Sequence, residues 1–190
     1  MFVGRERELK ALEDVYDKKG FGMTIIYGRR RVGKSTLIKE FIKGKKVIFY
    51  TATKIGAKRN LELFSKQVLD VLDPAMSLAN FSTLEGLFDI ITNKLPDDHK
   101  TILVIDELPY WAEKDETLLS VLQKYIDTRW SNKNMMIILC GSALSFMEKK
   151  VLSEKSPIFG RRDSQIKLEA FNYRDSALFV PKYSAEDKAI

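Results

Sequence analysis

The stretch from Gly28 to Ser35 reads GRRRVGKS and matches the pattern G-x-x-x-x-G-K-[ST] at every fixed position. A loop of this kind holds phosphate groups with its backbone N–H groups, and it does so where it joins a buried strand to the start of a helix. The apolar run MTIIYG leads into the loop, and the helical pattern TLIKEFIKG follows it. The motif therefore predicts an α/β fold with this loop at the end of a parallel strand.

The motif also predicts which side chains contact the ligand. Lys34 is expected to reach the β and γ phosphates of a nucleoside triphosphate, where it is also a catalytic candidate, and Ser35 is expected to hold Mg²⁺ through its hydroxyl. The predicted nucleotide-binding residues of the loop are Gly28, Arg29, Arg30, Arg31, Val32, Gly33, Lys34, Ser35 and Thr36. The alternative interpretation is a glycine turn before a basic helix.

The rest of the chain alternates between helical and strand patterns. Apolar residues recur at helical spacing in four further segments, 6–18, 60–72, 82–95 and 117–130. Apolar runs rich in β-formers or alternating residues cover 46–53, 101–107, 135–142 and 164–170. STLE at 82–85 fits a capping box that opens its helix at Ser82. This alternation predicts a parallel sheet with right-handed crossovers and helices on both faces.

The run ILVIDE ends a predicted strand in two acids, Asp106 and Glu107. Downstream of a phosphate loop, Asp106 is expected to be the second Mg²⁺ contact, and Glu107 is expected to orient and activate an attacking water. An acid in that second position favours hydrolysis over transfer to a small molecule. The alternative for Glu107 is a surface salt bridge.

Ser142 ends the fourth predicted strand, in LCGSALSF. In the strand order that phosphate-loop folds use, this strand lies between the loop strand and the strand of Asp106. Ser142 would then lie near the γ-phosphate and could sense it. Its alternative role is to cap the helix that follows.

Arg161 and Arg162 lie in the loop SPIFGRRDSQ before the fifth predicted strand. An arginine can stabilise charge on a transferred phosphoryl group from the same chain or from a neighbouring subunit. Arg161 is the favoured candidate for such a contact between subunits, which would make self-association part of the mechanism. The alternative for both residues is a solvated surface pair.

The net charge of +6 conceals a marked asymmetry, because the segment 18–61 contains thirteen Lys or Arg residues and one acid, Glu40. This basic segment provides a positive field around the phosphate loop, and it leaves open a contact with nucleic acid. The single cysteine, Cys140, excludes an internal disulfide and favours the cytoplasm. No apolar run approaches the ~20 residues that span a bilayer, so we expect no membrane contact.

After residue 171 the sequence starts helical patterns that have no further partner to pack against. We therefore expect residues 1–171 to form a phosphate-loop core and residues 172–190 to begin a further helical part. The pattern indicates that the chain is the N-terminal part of a longer protein.

Taken together, the motifs resemble those of the archaeal-type AAA-family ATPases, which are related to the STAND and AAA+ phosphate-loop NTPases. The matching segments cover nearly the whole chain and are FVGRERELK, YGRRRVGKST, FYTATKIGAKRNLELF, ILVIDELPY, LCGSALSFM and PIFGRRDSQIKLEAFNYRD. The resemblance implies a five-stranded core of the additional-strand type with the sheet order 5-1-4-3-2. It also implies ATP as the nucleotide, with Val3, Gly4 and Arg5 at the adenine. On this resemblance, residues 1–171 are an ATPase core and residues 172–190 are the start of a helical lid.

The resemblance further implies an Mg²⁺-dependent ATP-binding domain that hydrolyses ATP to ADP slowly and drives a C-terminal effector. Slow turnover is expected because no lid motif is visible and because Ser142 replaces the asparagine typical of AAA+ enzymes. Two alternatives stay open. One is a switch that holds nucleotide without useful turnover, and the other is a DNA-handling ATPase of a mobile element or defence system.

Three arginines fill variable positions of the loop. Side chains at these positions tend to point away from the phosphates, so we expect Arg29, Arg30 and Arg31 to add to the positive field or to face a neighbouring domain. Replacing Arg30 by alanine is therefore predicted to leave ATP affinity nearly unchanged, whereas replacing Lys34 is predicted to abolish it.

Overall fold

A five-stranded parallel sheet forms the centre of the computed structural model, which describes residues 4–171. The strands are β1 (Gly22–Tyr27), β2 (Lys46–Thr51), β3 (Thr101–Asp106), β4 (Met135–Gly141) and β5 (Ser164–Lys167). Their order is β2-β3-β4-β1-β5, and every neighbouring pair is parallel. This is the predicted order 5-1-4-3-2 read from the opposite edge, so the fold prediction is confirmed.

Seven helices surround this sheet in the described part of the chain. They are α1 (Glu6–Asp17), α2 (Lys34–Phe41), α3 (Ala57–Leu72), α4 (Leu84–Lys94), α5 (Leu108–Ala112), α6 (Leu118–Tyr125) and α7 (Leu144–Phe146). Helices α6 and α7 each continue into a π-helical turn, Ile126–Trp130 and Met147–Val151, and a 3₁₀ turn covers Pro74–Met76. Within residues 4–171, no helix combines the length and the apolar composition that crossing a membrane would require.

The strands are apolar because helices cover both faces of the sheet. Along β4, Met135, Ile137 and Leu139 pack into one core with α3 to α6. The intervening residues, Met136 and Ile138, pack into a second core with α1 and α2. All seven residues of β4 are buried, whereas the edge strands β2 and β5 are only partly buried. A strand that is buried on both faces needs apolar side chains at every position rather than at alternate ones.

The structure differs from the sequence-based prediction at three places. Helix α5 has five residues, and α7 is a three-residue turn extended by a π turn, so neither shows enough helical repeat to be predicted. The predicted helix 117–130 changes from α to π geometry after Tyr125. The cap of α4 is Thr83 rather than Ser82, because the Thr83 side chain accepts a hydrogen bond from the Gly86 N–H at 3.2 Å.

Two predictions lie outside the described residues. These are the placement of Val3 beside the adenine and the start of a helical lid at 172–190.

The carboxyl ends of β1, β3 and β4 lie side by side, because β4 sits between the other two strands. The phosphate loop follows β1, Glu107 follows β3, and Ser142 follows β4. In open α/β sheets this edge is where ligands bind. The sheet order thus brings together three segments that are far apart in the sequence.

Replacing Gly28 by alanine should lower stability, since the loop leaves β1 against the backbone of β5. A Cβ at Gly28 would lie 2.1 Å from the carbonyl oxygen of Leu168, whose N–H donates to the Tyr27 carbonyl at 2.7 Å. Backbone cannot rotate aside as a side chain does, so β1 and β5 must separate. We expect a loss of about 1–3 kcal/mol, measured by thermal or denaturant unfolding.

The matched control is Gly44→Ala. Gly44 also has a positive φ, of 72°, but nothing lies within 4 Å of an added Cβ. The Gly44→Ala variant should lose roughly 1 kcal/mol of stability, from backbone strain alone. A Gly28 variant that unfolds at the same temperature as the wild-type protein would contradict the close approach.

Candidate nucleotide site

The phosphate loop has the curled backbone that its sequence predicts. Gly33 has φ 92° and is the N-cap residue of α2, while Arg31 has φ 66° although it carries a side chain. Left-handed backbone at a residue other than glycine is uncommon and concentrates at functional sites. The amino end of α2, with its unpaired N–H groups and partial positive charge, therefore opens directly onto the loop.

Lys34 lies inside this curl. Only 5% of the residue is exposed, and its ammonium donates to the carbonyl oxygens of Gly28 at 3.0 Å and Arg29 at 2.9 Å. These two acceptors hold the charge at the centre of the loop. An anion cradled by the loop would therefore meet a fixed cation together with the N–H groups of α2.

The two predicted metal ligands are in direct contact. The Ser35 hydroxyl donates to Oδ2 of Asp106 at 2.7 Å, and Oδ1 of Asp106 accepts from the Glu107 N–H at 2.9 Å. Asp106 is 4% exposed and has no basic side chain as a partner among residues 4–171. Mg²⁺ prefers oxygen ligands, usually one or two from the protein together with phosphate oxygens. The Ser35 and Asp106 oxygens fit such an ion.

Glu107 is bound by Ser142. Its Oε2 accepts hydrogen bonds from the Ser142 hydroxyl at 2.7 Å and from the Ser142 N–H at 3.3 Å. Glu107 also has φ 51°, in the left-handed region. The Ser142 side chain is not the cap of α7, whose N-cap residue is Ala143. The structure thus connects the predicted water-activating acid to the predicted phosphate sensor.

An open cleft of about 530 Å³ lies beside these groups. Its lining residues are Arg30, Arg31, Gly33, Lys34, Ser35, Thr36, Glu107 and Tyr110. Tyr110 is a site residue that the sequence analysis missed. The available signal was its position three residues after Glu107, which is the N-cap residue of α5.

Tyr110 connects the two walls of the cleft. The Arg30 guanidinium donates a hydrogen bond to the Tyr110 hydroxyl, and its central carbon lies 5.9 Å from the ring centroid. The Lys54 ammonium lies 5.0 Å from the same centroid. The expectation that the loop arginines point away from the site is therefore wrong for Arg30, because Tyr110 draws its side chain along the cleft.

Arg161 is engaged within its own chain. Its guanidinium forms two hydrogen bonds to the carboxylate of Asp127, at 2.7 and 2.6 Å, and two more to the carbonyls of Pro157 and Phe159, both at 2.9 Å. Hydrogen bonding to Arg161 holds the pKa of Asp127 below its ordinary value. A contact between subunits would have to break this pair, and the role of Arg161 in such a contact stays a prediction.

Gly4 and Arg5 lie beside the loop. The Arg5 guanidinium donates to the carbonyl of Val32 at 3.5 Å and to that of Glu169, and its central carbon lies 4.1 Å from the Phe171 ring centroid. A Cβ at Gly4 would lie 3.0 Å from the same ring. These contacts bring the amino-terminal motif next to the loop, and the adenine contact itself stays a prediction.

Cys140 lies on β4 behind the site and is fully buried. Burial, helped by the neighbouring carboxylate of Asp106, raises the pKa of its thiol well above the ordinary value. The thiol is therefore protonated at neutral pH, and it lies on the strand between the loop strand and β3, next to the Asp106 carboxylate.

Comparison with known protein families gives one match over nearly the whole chain. A family model described as an ATPase domain predominantly from Archaea matches residues 2–189. An uncharacterized protein of Methanocaldococcus jannaschii is 32% identical over 182 residues, which are 96% of this chain and 39% of that protein. The chain thus spans well under half the length of this relative.

Solved structures share the fold at lower identity. The Walker-type ATPase of Pyrococcus abyssi has a TM-score of 0.70 and 22% identity, covering 95% of this chain and 57% of its own. The ORC1 protein of Aeropyrum pernix, solved in complex with DNA, has a TM-score of 0.66 and 14% identity, covering 100% of this chain and 50% of its own. At these identities the similarity establishes the phosphate-loop fold alone.

Proposed function

This chain belongs to a family of ATPase domains found predominantly in Archaea, and from that premise we propose that it binds ATP with Mg²⁺ in the cleft beside its phosphate loop and hydrolyses it slowly to ADP and phosphate. The released energy would move a further part of a longer protein. The coverage of 39% of the M. jannaschii relative supports this last step, because that protein has more chain than an ATPase domain.

One observation carries the proposal. Four side chains from two separate segments converge at the carboxyl edge of the sheet: Lys34, Ser35, Asp106 and Glu107. The contact of 2.7 Å between the Ser35 hydroxyl and Asp106 joins the loop to the end of β3. A cation, a pair of oxygen ligands and an acid are the groups that phosphoryl transfer to water requires.

Each group has a distinct task in hydrolysis. Lys34 and the N–H groups of the loop hold the phosphates and stabilise their negative charge. Mg²⁺ would be held by Ser35 and Asp106 and would neutralise charge on the phosphate oxygens. Glu107 orients a water molecule whose oxygen bonds to the γ-phosphorus while the bond from that phosphorus to the bridging oxygen breaks. The electron pair stays on ADP, and Glu107 takes the proton and releases it to solvent.

A second candidate function is a nucleotide-holding switch. The hydrogen bonds from Ser142 occupy Oε2 of Glu107, so this oxygen is already engaged before a water molecule arrives. In this arrangement the domain would bind ATP firmly and turn it over only when Ser142 releases the acid. The same contact supports slow turnover in the first proposal.

A DNA-handling role is the third candidate. Arg29, Arg31 and Lys54 are exposed, and no carboxylate among residues 4–171 pairs with them. An exposed, unpaired basic surface attracts polyanions, and such binding weakens steeply as salt rises.

Phosphate release from ATP, measured with and without Mg²⁺, tests the proposed function. We expect slow, Mg²⁺-dependent release by the purified chain and none with EDTA. ATP binding with no release at any protein concentration would favour the switch, especially if ADP stays bound through purification. Stimulation by duplex DNA that disappears as salt rises would favour the DNA-handling role.

A further inference from the structure

Arg30 crosses the cleft between the phosphate loop and α5. It comes from the loop, yet its guanidinium contacts Tyr110 on the opposite wall, and both residues line the cleft that holds Lys34 and Glu107. Among the three loop arginines, only Arg30 has a side-chain contact with another described residue of the range 4–171. The position therefore differs from that of a general surface charge.

Arg30 is also free of competing anions. Its partner is a neutral phenol, and no carboxylate in the described part of the chain pairs with it. Arg161, by contrast, has a two-fold ion pair with Asp127, at 2.7 and 2.6 Å, and two carbonyl acceptors. A guanidinium bound to a phenol can turn to a phosphate oxygen at little cost, whereas one bound to a carboxylate must first give up that partner.

Tyr110 sets the position of Arg30 relative to Glu107. The Tyr110 N–H donates to the Glu107 carbonyl at 3.0 Å, so the phenol and the acid are fixed by the same first turn of α5. The Lys54 ammonium lies 5.0 Å from the centroid of the same ring and adds a second positive charge beside it.

We propose that Arg30 is a catalytic residue that contacts the γ-phosphoryl group within the same chain as negative charge builds up, and that Tyr110 is the residue that positions it. This inference rests on the proposed ATP hydrolysis. Arg30 exchanges no proton in this step; it donates hydrogen bonds to phosphoryl oxygens while water forms the new bond to the γ-phosphorus and ADP leaves with the electron pair. Arg30 would thus supply, from the same chain, the positive charge that the sequence analysis expected Arg161 of a second subunit to supply.

Kinetics of Arg30→Ala and Tyr110→Phe test the proposal. Because the contact strengthens as charge develops, Arg30→Ala should lower kcat on the order of 10²–10³-fold, with a change in KM of no more than about threefold. Tyr110→Phe keeps the ring but loses the hydrogen-bond acceptor, so it should lower kcat about tenfold and also leave KM nearly unchanged. Arg30→Lys should recover part of the loss.

The matched control is Arg59→Ala, which removes an exposed arginine from the same basic segment, outside the cleft. It should retain wild-type kcat. An equal loss in Arg59→Ala, an unchanged kcat in Arg30→Ala, or a rise in KM as large as the fall in kcat would overturn the proposal. Specific activity that is independent of protein concentration supports a contact within one chain, and specific activity that rises with concentration favours Arg161 from a second copy.

A second readout separates this inference from the proposed function. ADP with aluminium fluoride imitates the transferring phosphoryl group. The affinity of the Arg30→Ala variant for this complex should therefore be at least about tenfold lower than that of the wild-type protein. If the wild-type protein hydrolyses no ATP, the proposed function fails, but this titration still tests whether Arg30 contacts the phosphoryl group. Equal retention by both proteins overturns the role of Arg30, whatever the hydrolysis assay gives.

Discussion

Replacing Glu107 by glutamine should abolish ATP hydrolysis while the protein still binds ATP. Glutamine has nearly the same shape as glutamate, and its amide oxygen can accept the two hydrogen bonds from Ser142, which are 2.7 and 3.3 Å long in the wild-type protein. Glutamine cannot take a proton from water. Loss of a general base lowers rates on the order of 10²–10⁴-fold, which would put a slow ATPase below detection. Steady-state phosphate release and a binding titration with a fluorescent ATP analogue measure the two effects separately.

The control for this variant is Glu116→Gln, which makes the same chemical change outside the cleft. Glu116 is an exposed acid between α5 and α6. We expect wild-type hydrolysis from it. If Glu107→Gln hydrolyses ATP as fast as the wild-type protein, Glu107 is not the base. If the wild-type protein itself is inert, the nucleotide-holding switch gains support, because Ser142 would already keep Glu107 from the water.

Replacing Lys34 by alanine should abolish ATP binding. Lys34 is 5% exposed, and its ammonium is fixed inside the loop by two carbonyl oxygens, where it would meet the phosphates of ATP together with the N–H groups of α2. Removing one partner of a buried, hydrogen-bonded charge pair costs about 2–5 kcal/mol, which is roughly 30-fold to several thousand-fold in affinity. Titration calorimetry with ATP and Mg²⁺ measures the loss.

Two further variants serve as controls for the Lys34→Ala experiment. Lys39→Ala removes an exposed lysine later in the same helix and should bind ATP like the wild-type protein. Arg30→Ala should also keep ATP affinity nearly unchanged, since its contact to phosphate develops with the charge of the reaction. Equal losses of affinity in the Lys34 and Arg30 variants would contradict both the assignment of Lys34 and the proposed timing of the Arg30 contact. Unfolding curves exclude a loss of fold.

Short motifs predicted the parts of the site that depend on neighbouring residues. The loop from Gly28 to Ser35 and the acids Asp106 and Glu107 each occupy one continuous stretch, and their chemistry follows from residue type and spacing. The position of Ser142 followed from the strand order, which the structure confirms. The role of each of these residues in catalysis stays a prediction that the variants test.

These motifs could not predict which side chains pair with one another along the carboxyl edge of the sheet. Tyr110 was missed because α5 is too short to show a helical repeat, and its role depends on Arg30, 80 residues earlier. The direction of Arg30 was predicted wrongly for the same reason. Arg161 was singled out as a candidate for a contact between subunits. Its partner Asp127 lies 34 residues away, and nothing in either local sequence indicates the pair.

The sequence by itself determined the phosphate loop, the acids at the carboxyl end of β3 and the parallel sheet, because backbone conformation and apolar periodicity are set by residues close together in the chain. Only the tertiary structure decided which charged side chains are free and which are occupied. The contacts of Ser142 with Glu107, of Arg30 with Tyr110 and of Arg161 with Asp127 join residues 35, 80 and 34 positions apart. Such pairs form when the sheet order brings separate segments to one edge, and hydrogen bonds, with their short range, then select among the neighbours present there.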